Sequence, residues 1–129
     1  MTSQGSAHAR FRRALATRNP LLVTAAAAEL PRIALEDSLA VCLVYRDADP
    51  ERFERAIVRW HALLGQHARA MGACESRLAL AALQALRGPA AAPVARLLSD
   101  LCALYELSAS AEVLDRWLER GAGAAGGQV

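Results

Sequence analysis

A chain of 129 residues with 15 basic against 13 acidic residues, formal charge +2, is long enough to bury one real core without disulfide staples. Its totals carry neither the strongly basic footprint of a general nucleic-acid binder nor an acidic one. The apolar fraction of 54% is rich in alanine, which favours helices and close helix packing over large cores.

Every basic residue is an arginine. Three cysteines, Cys42, Cys74 and Cys102, are widely spaced in apolar surroundings, which argues against a disulfide framework or a thiolate metal site and for a reducing compartment. The first residues lack the apolar stretch of a secretory signal, and no uncharged run approaches the ~18 residues of a membrane span. The expectation is a soluble, cytoplasmic protein.

Proline and glycine fall where helices would start or stop, and they divide the chain into about seven helices. The first is expected over Ser6 to Arg18, with Phe11, Ala14 and Leu15 on one face. The second starts at Asn19-Pro20, a cap followed by proline at the first helical position, and ends at Leu30 before Pro31. The third, Ala34 to Arg46, has an almost uncharged body from Leu39 to Tyr45 and is expected in the middle of the fold. The fourth opens with Asp49-Pro50 and runs to Ala70 or Met71. Its stripe of Phe53, Ile57, Trp60, Leu64, Ala68 and Met71 follows the 100° helical step.

A fifth helix is expected over Glu75 to Arg87. The sixth follows "GPAAAP" and carries Val94, Leu97, Leu98, Leu101, Leu104 and Tyr105, with Pro93 allowed only in the first turn. The seventh covers Ala109 to Arg120. No alternating strand pattern appears. Residues 1–5 and the glycine- and alanine-rich 121–129 are expected to be flexible ends flanking one all-α domain, residues 6–120, either α-solenoid-like or a helical bundle. Cys42, Val44 and Tyr45 fall sixty residues before Cys102, Leu104 and Tyr105. On that spacing residues 20–71 and 75–120 read as two copies of a three-helix unit.

Glu36-Asp37 invites an acid pair, but adjacent helical residues diverge by ~100° and cannot converge on one reacting atom. Both are better explained as first-turn carboxylates complementing free N–H groups, with Arg32 near enough to pair. His61 and His67 are six apart, whereas helical metal ligands want three or four, and His8 falls near the mobile end. Cys74 beside Glu75 has no nucleophile signature around it, and no phosphate loop or metalloprotease motif occurs. Glu51, Arg55 and Arg59, four apart, read as a salt-laced exposed face.

The order F-R-x-A-L at Phe11 to Leu15, then A-A-x-E-L-P, L-E-D-x-L and D-P-E-R-F-E-R-A-x-x-R-W ending at Trp60, resembles small alanine- and arginine-rich all-helical actinobacterial proteins. The resemblance implies the helical fold and a cytoplasmic location and brings no site residues. The leading expectation is a non-enzymatic protein-interaction or scaffold module, self-association included, without metal or cofactor. Its partner-facing candidates are Arg10, Arg12, Arg13, Arg55, Arg59, Trp60 and His67. Two alternatives are a small nucleic-acid-associated regulator using the first-helix arginines, and an enzyme with a site between helices 3 and 4 beside Glu36 or His67.

Overall fold

The computed structural model describes residues 3–127, with side chains described for residues 5–121. Most of the expected flexible ends, 1–5 and 121–129, therefore lies outside the described side chains. The described residues form seven helices and no strand: α1 Ser3–Thr17, α2 Pro20–Ala28, α3 Leu35–Ala48, α4 Pro50–His67, α5 Ala73–Ala85, α6 Ala91–Leu104 and α7 Ser108–Gly127. None is long and apolar enough to cross a membrane.

Local chemistry accounts for most boundaries. Asn19 accepts from the amides of Leu21 and Leu22, and Asp49 from that of Arg52, each ahead of a proline at the first helical position. Pro93 sits in the first turn of α6, where its missing N–H costs no hydrogen bond. Gly72 precedes α5, and Glu75 Oε2 accepts from its amide at 3.1 Å, the half of a capping box that does not need a cap side chain. A Cβ on Gly72 would meet that same oxygen at 2.9 Å.

Where α4 was expected to reach Ala70 or Met71 it stops at His67. The Met71 amide instead bonds the Ala68 carbonyl at 3.0 Å, and this turn brings Met71 against the core. Arg18 ends α1 with φ 59°, and Glu106 follows α6 with φ 62°. Glu106 and Leu107 donate to the Ala103 and Cys102 carbonyls at 3.1 and 2.8 Å, the paired bonds of a Schellman cap, built here on a residue that usually would be glycine.

α3 packs against α1, α2, α4 and α7. Leu35, Leu39, Cys42, Leu43 and Val44 are all at or below 4% exposure, because helices surround α3 on nearly every side. Phe53, Ile57, Trp60 and Leu64 of α4 complete that core, joined by Phe11 of α1, Val23 of α2, Leu83 of α5, Leu98 of α6 and Leu114 of α7. Otherwise each helix packs on its neighbours in the chain, and α7 folds back onto α3.

Asp37 lies in the first turn of α3, as expected, but its partner is not Arg32. Its carboxylate is 3.4 Å from Nε2 of His8, which belongs to ordered α1 and packs beside Phe11. Ala34 supplies no side-chain cap.

A left-handed residue other than glycine carries roughly 1–2 kcal/mol of steric cost. The Glu106 side chain makes no hydrogen bond among the described residues. Glu106→Gly is expected to raise stability by about 0.5–1 kcal/mol in chemical denaturation, part of the relief being offset by the freer unfolded chain. A loss of stability would mean the cap is held by something other than backbone geometry.

Candidate functional site

The sequence-level candidates scatter. Arg10 is engaged by Glu29 Oε2, at 2.7 and 3.1 Å, and by Ser6 Oγ at 2.7 Å, which neutralises part of the basic first helix; Arg12 and Arg13 remain exposed. Trp60 is fully buried and so is a core residue rather than a partner-facing one; its Nε1–H has no hydrogen-bond partner among the described residues. Arg55 and Arg59 are exposed without an ion pair to Glu51, because the ion pairs of this helix run elsewhere: Arg52 to Asp49 at 2.9 Å, and Glu54 to Arg87.

His67 Nδ1 lies 2.9 Å from the Leu63 carbonyl. The cleft beside it, about 520 Å³, also has Arg32, Ile33 and Gln66 on its walls but no acid or nucleophile. His61 Nε2 meets Ser76 Oγ at 2.8 Å. Among the described residues no group of three or more His, Cys, Asp or Glu side chains could hold a metal ion. Glu36, His67 and Cys74 therefore form no such cluster.

Between α2, α3 and α4 lies an apolar cleft of about 480 Å³. Two of the three hydroxyls on its wall are spoken for: Tyr45 Oη and Thr24 Oγ1 are 2.5 Å apart, and Thr24 donates to the Pro20 carbonyl; the third is that of Ser38. Neither Glu36 nor His67 lines it.

Two other features stand out. The first is a pocket of about 540 Å³ where α1, α3 and α7 meet the start of α6, with Arg18, Arg46, Arg96, Arg120, Asp47 and Trp117 among its walls. Four guanidiniums against one carboxylate leave an excess of three positive charges.

Asp47 organises half of them. Its Oδ2 accepts from Arg18 Nη2 at 2.5 Å and from Trp117 Nε1 at 3.1 Å, and its Oδ1 from Arg46 Nη1 at 3.2 Å. Arg46 also donates to the Leu86 carbonyl at 2.8 Å and stands 5.3 Å from the Trp117 ring centroid, a cation–π distance. One carboxylate and one guanidinium thus join the C-terminal ends of α1, α3 and α5 to the middle of α7. Left-handed Arg18 turns the chain where its side chain can reach this node.

Arg96 and Arg120 make no ion pair or hydrogen bond among the described residues. Partial burial lowers the Arg120 pKa from its ordinary value, as do the neighbouring Arg18 and Arg116, while Asp47 acts in the opposite sense. Nothing in the linear sequence marked these residues: the arginines lie 18, 46, 96 and 120 along the chain and only the return of α7 onto α3 brings them together.

The second feature is on α6. Val94, Leu97, Leu101 and Leu104 are spaced three, four and three, a seam on one helical side. Leu97 is 53% and Leu104 73% exposed. Next to it, Tyr105 Oη donates to Glu75 Oε2 at 3.1 Å, pinning the start of α5 to the end of α6, and Leu78 of α5, one turn on from Glu75, is also exposed.

Asp47→Asn should lower stability by about 1–2 kcal/mol at low salt, from two part-exposed ion pairs and one charge-assisted bond, and the loss should shrink in ~0.5 M salt as the arginines are screened. Denaturation at both salt levels measures this; a salt-independent loss would contradict the electrostatic account. Burial pushes the Cys42 thiol up to about 12 and that of Cys102 up to about 11 from an ordinary 9.0. Only exposed Cys74 should react with a thiol reagent in the native protein. Because the unfolded thiols ionise first, their contribution is unaffected below about pH 9 and stability falls as pH rises from there toward 11–12. Fast native labelling of Cys42 or Cys102 would refute the buried placement.

Comparison with protein-family models, curated proteins and solved structures finds no match, so the geometry of these two features carries the functional reading.

Proposed function

We propose that the protein is a non-enzymatic interaction module and that its docking surface is the exposed α5–α6 side, with a second copy of the same chain as the partner. The observation that carries this is the seam Val94, Leu97, Leu101 and Leu104, in which Leu97 and Leu104 are exposed while Val94 and Leu101, partly buried against the core, form its inner edge. Its 3-4-3 spacing reads the same in both directions. A two-fold axis at its midpoint sets Val94 against Leu104 and Leu97 against Leu101 of the other copy, as an isologous interface requires. Large exposed leucines clustered on one helix are what a monomer avoids and an interface uses.

A three-helix duplication, residues 20–71 and 75–120, would suit this reading. In each half a tyrosine near the end of the second helix ties back to the first, Tyr45 to Thr24 and Tyr105 to Glu75. In the first half the buried second helix of the unit, α3, has packing partners on several sides, whereas the corresponding α6 packs on α5 and α7 and keeps an open side. The return of α7 onto α3 favours a closed bundle over an open solenoid for the whole. Two buried thiols and one exposed one, all free, suit a reducing, cytoplasmic compartment.

The same pairing brings Asp100, exposed at the rim of the seam, near its symmetry mate. Like charges there oppose association. In sedimentation equilibrium the protein should dimerise at tens of micromolar, about −6 to −7 kcal/mol. Leu97→Asp and Leu104→Asp should be monomeric with unchanged helical content, since both side chains are exposed, and Asp100→Asn should tighten the dimer several-fold, more at low salt. A wild-type monomer at ~100 µM, roughly −5 kcal/mol or weaker, would sink the proposal.

A further inference from the structure

The pocket beside Asp47 has a composition that folding does not use up. Arg18 and Arg46 are bound to Asp47, to the Leu86 carbonyl and over the Trp117 ring; their role as a joint between helix ends is complete. Arg96 of α6 and Arg120 of α7 line the same 540 Å³ space and have no partner among the described residues. The volume lies within the range of small-molecule sites, ~300–1,000 Å³. Its apolar wall is Trp117, Leu118, Ala91 and Ala92.

We propose that this pocket binds a small phosphorylated organic molecule, its phosphate monoester dianion held by Arg96 and Arg120 and its apolar body lying against Trp117 and Leu118. Three considerations select this chemistry. The lining carries three excess positive charges, so a dianion removes more repulsion than a monoanion does. Two free planar forks on different helices offer more donors than one carboxylate can accept, and three terminal phosphate oxygens fit that number. The apolar wall gives no reward to inorganic phosphate, which has no body to bury. The uncapped first turn of α6, whose Ala91 and Ala92 lie at the pocket, adds backbone amides at the positive end of that helix.

The site is independent of the α6 seam, because Arg96 lies about 120° around the helix from its centre at ~100° per residue. Dimerisation and ligand binding can therefore fail separately.

The test is titration calorimetry at fixed ionic strength with three probes: phenyl phosphate, inorganic phosphate and benzoate. Phenyl phosphate should bind one to one and about tenfold or more tightly than either of the others. Its affinity should rise between pH 5 and 7 as its second proton, pKa about 6, is lost. The Arg96→Gln/Arg120→Gln double variant should keep wild-type helical content, since neither side chain holds a structural contact, and should lose at least about tenfold in affinity. No measurable binding of phenyl phosphate at about 10 mM would overturn the proposal. So would equal affinity for benzoate and phenyl phosphate, or undiminished affinity in the double variant.

Discussion

The burial of α3 is the constraint on which the rest of the structure depends. From Leu39 to Tyr45 the helix offers no charged side chain, and Leu39, Cys42, Leu43 and Val44 are at or below 1% exposure. Each large aliphatic side chain so buried contributes roughly 1.5–3 kcal/mol, comparable to a sizeable part of a domain's net stability. A helix apolar nearly all round has to be enclosed, and one hairpin partner cannot do that. α1, α2 and α4 cover it from its own half of the chain, and α7 comes back from the far half to finish the cover.

That return has two consequences. It brings Trp117 and Arg120 to the end of α3, where Arg46 and Asp47 stand, and it gathers arginines that are far apart in sequence around a single carboxylate. Asp47 compensates the two it bonds, and the other two stay uncompensated. It also uses α7 to serve α3, so that α6, although it is packed on α5 and α7, retains an outer side with Leu97 and Leu104 in water. The cationic pocket and the apolar seam are both by-products of enclosing one helix.

Much of the fold was legible in the sequence because its signals are local. Asn19-Pro20 and Asp49-Pro50 start α2 and α4, Pro93 falls in a first turn, and the α4 stripe from Phe53 to Leu64 faces inward. The central place of α3 followed from its uncharged body. The misses are tertiary. Trp60 falls in the apolar stripe of α4, which favours the core, yet a tryptophan also suits a docking surface and it stood among the partner-facing candidates; the structure puts it inside. The Asp37 partner, His8, comes from a helix twenty-nine residues away, whereas Arg32 was merely close in sequence. Arg18, Arg46, Arg96 and Arg120 looked like any others in a chain whose basic residues are all arginine, and the α6 leucines looked like core because a helical apolar stripe reads the same whether its cover is the same chain or another.

Amide hydrogen exchange at low and at high protein concentration tests the central claim, that enclosing α3 leaves α6 as the open face. The α3 amides from Leu39 to Val44 should be the slowest at both concentrations, opening only with the whole molecule. Added protection at high concentration should be confined to α6 and the adjoining part of α5. Exchange in α3 as fast as in α2, or protection that rises elsewhere and not on α6, would contradict the account.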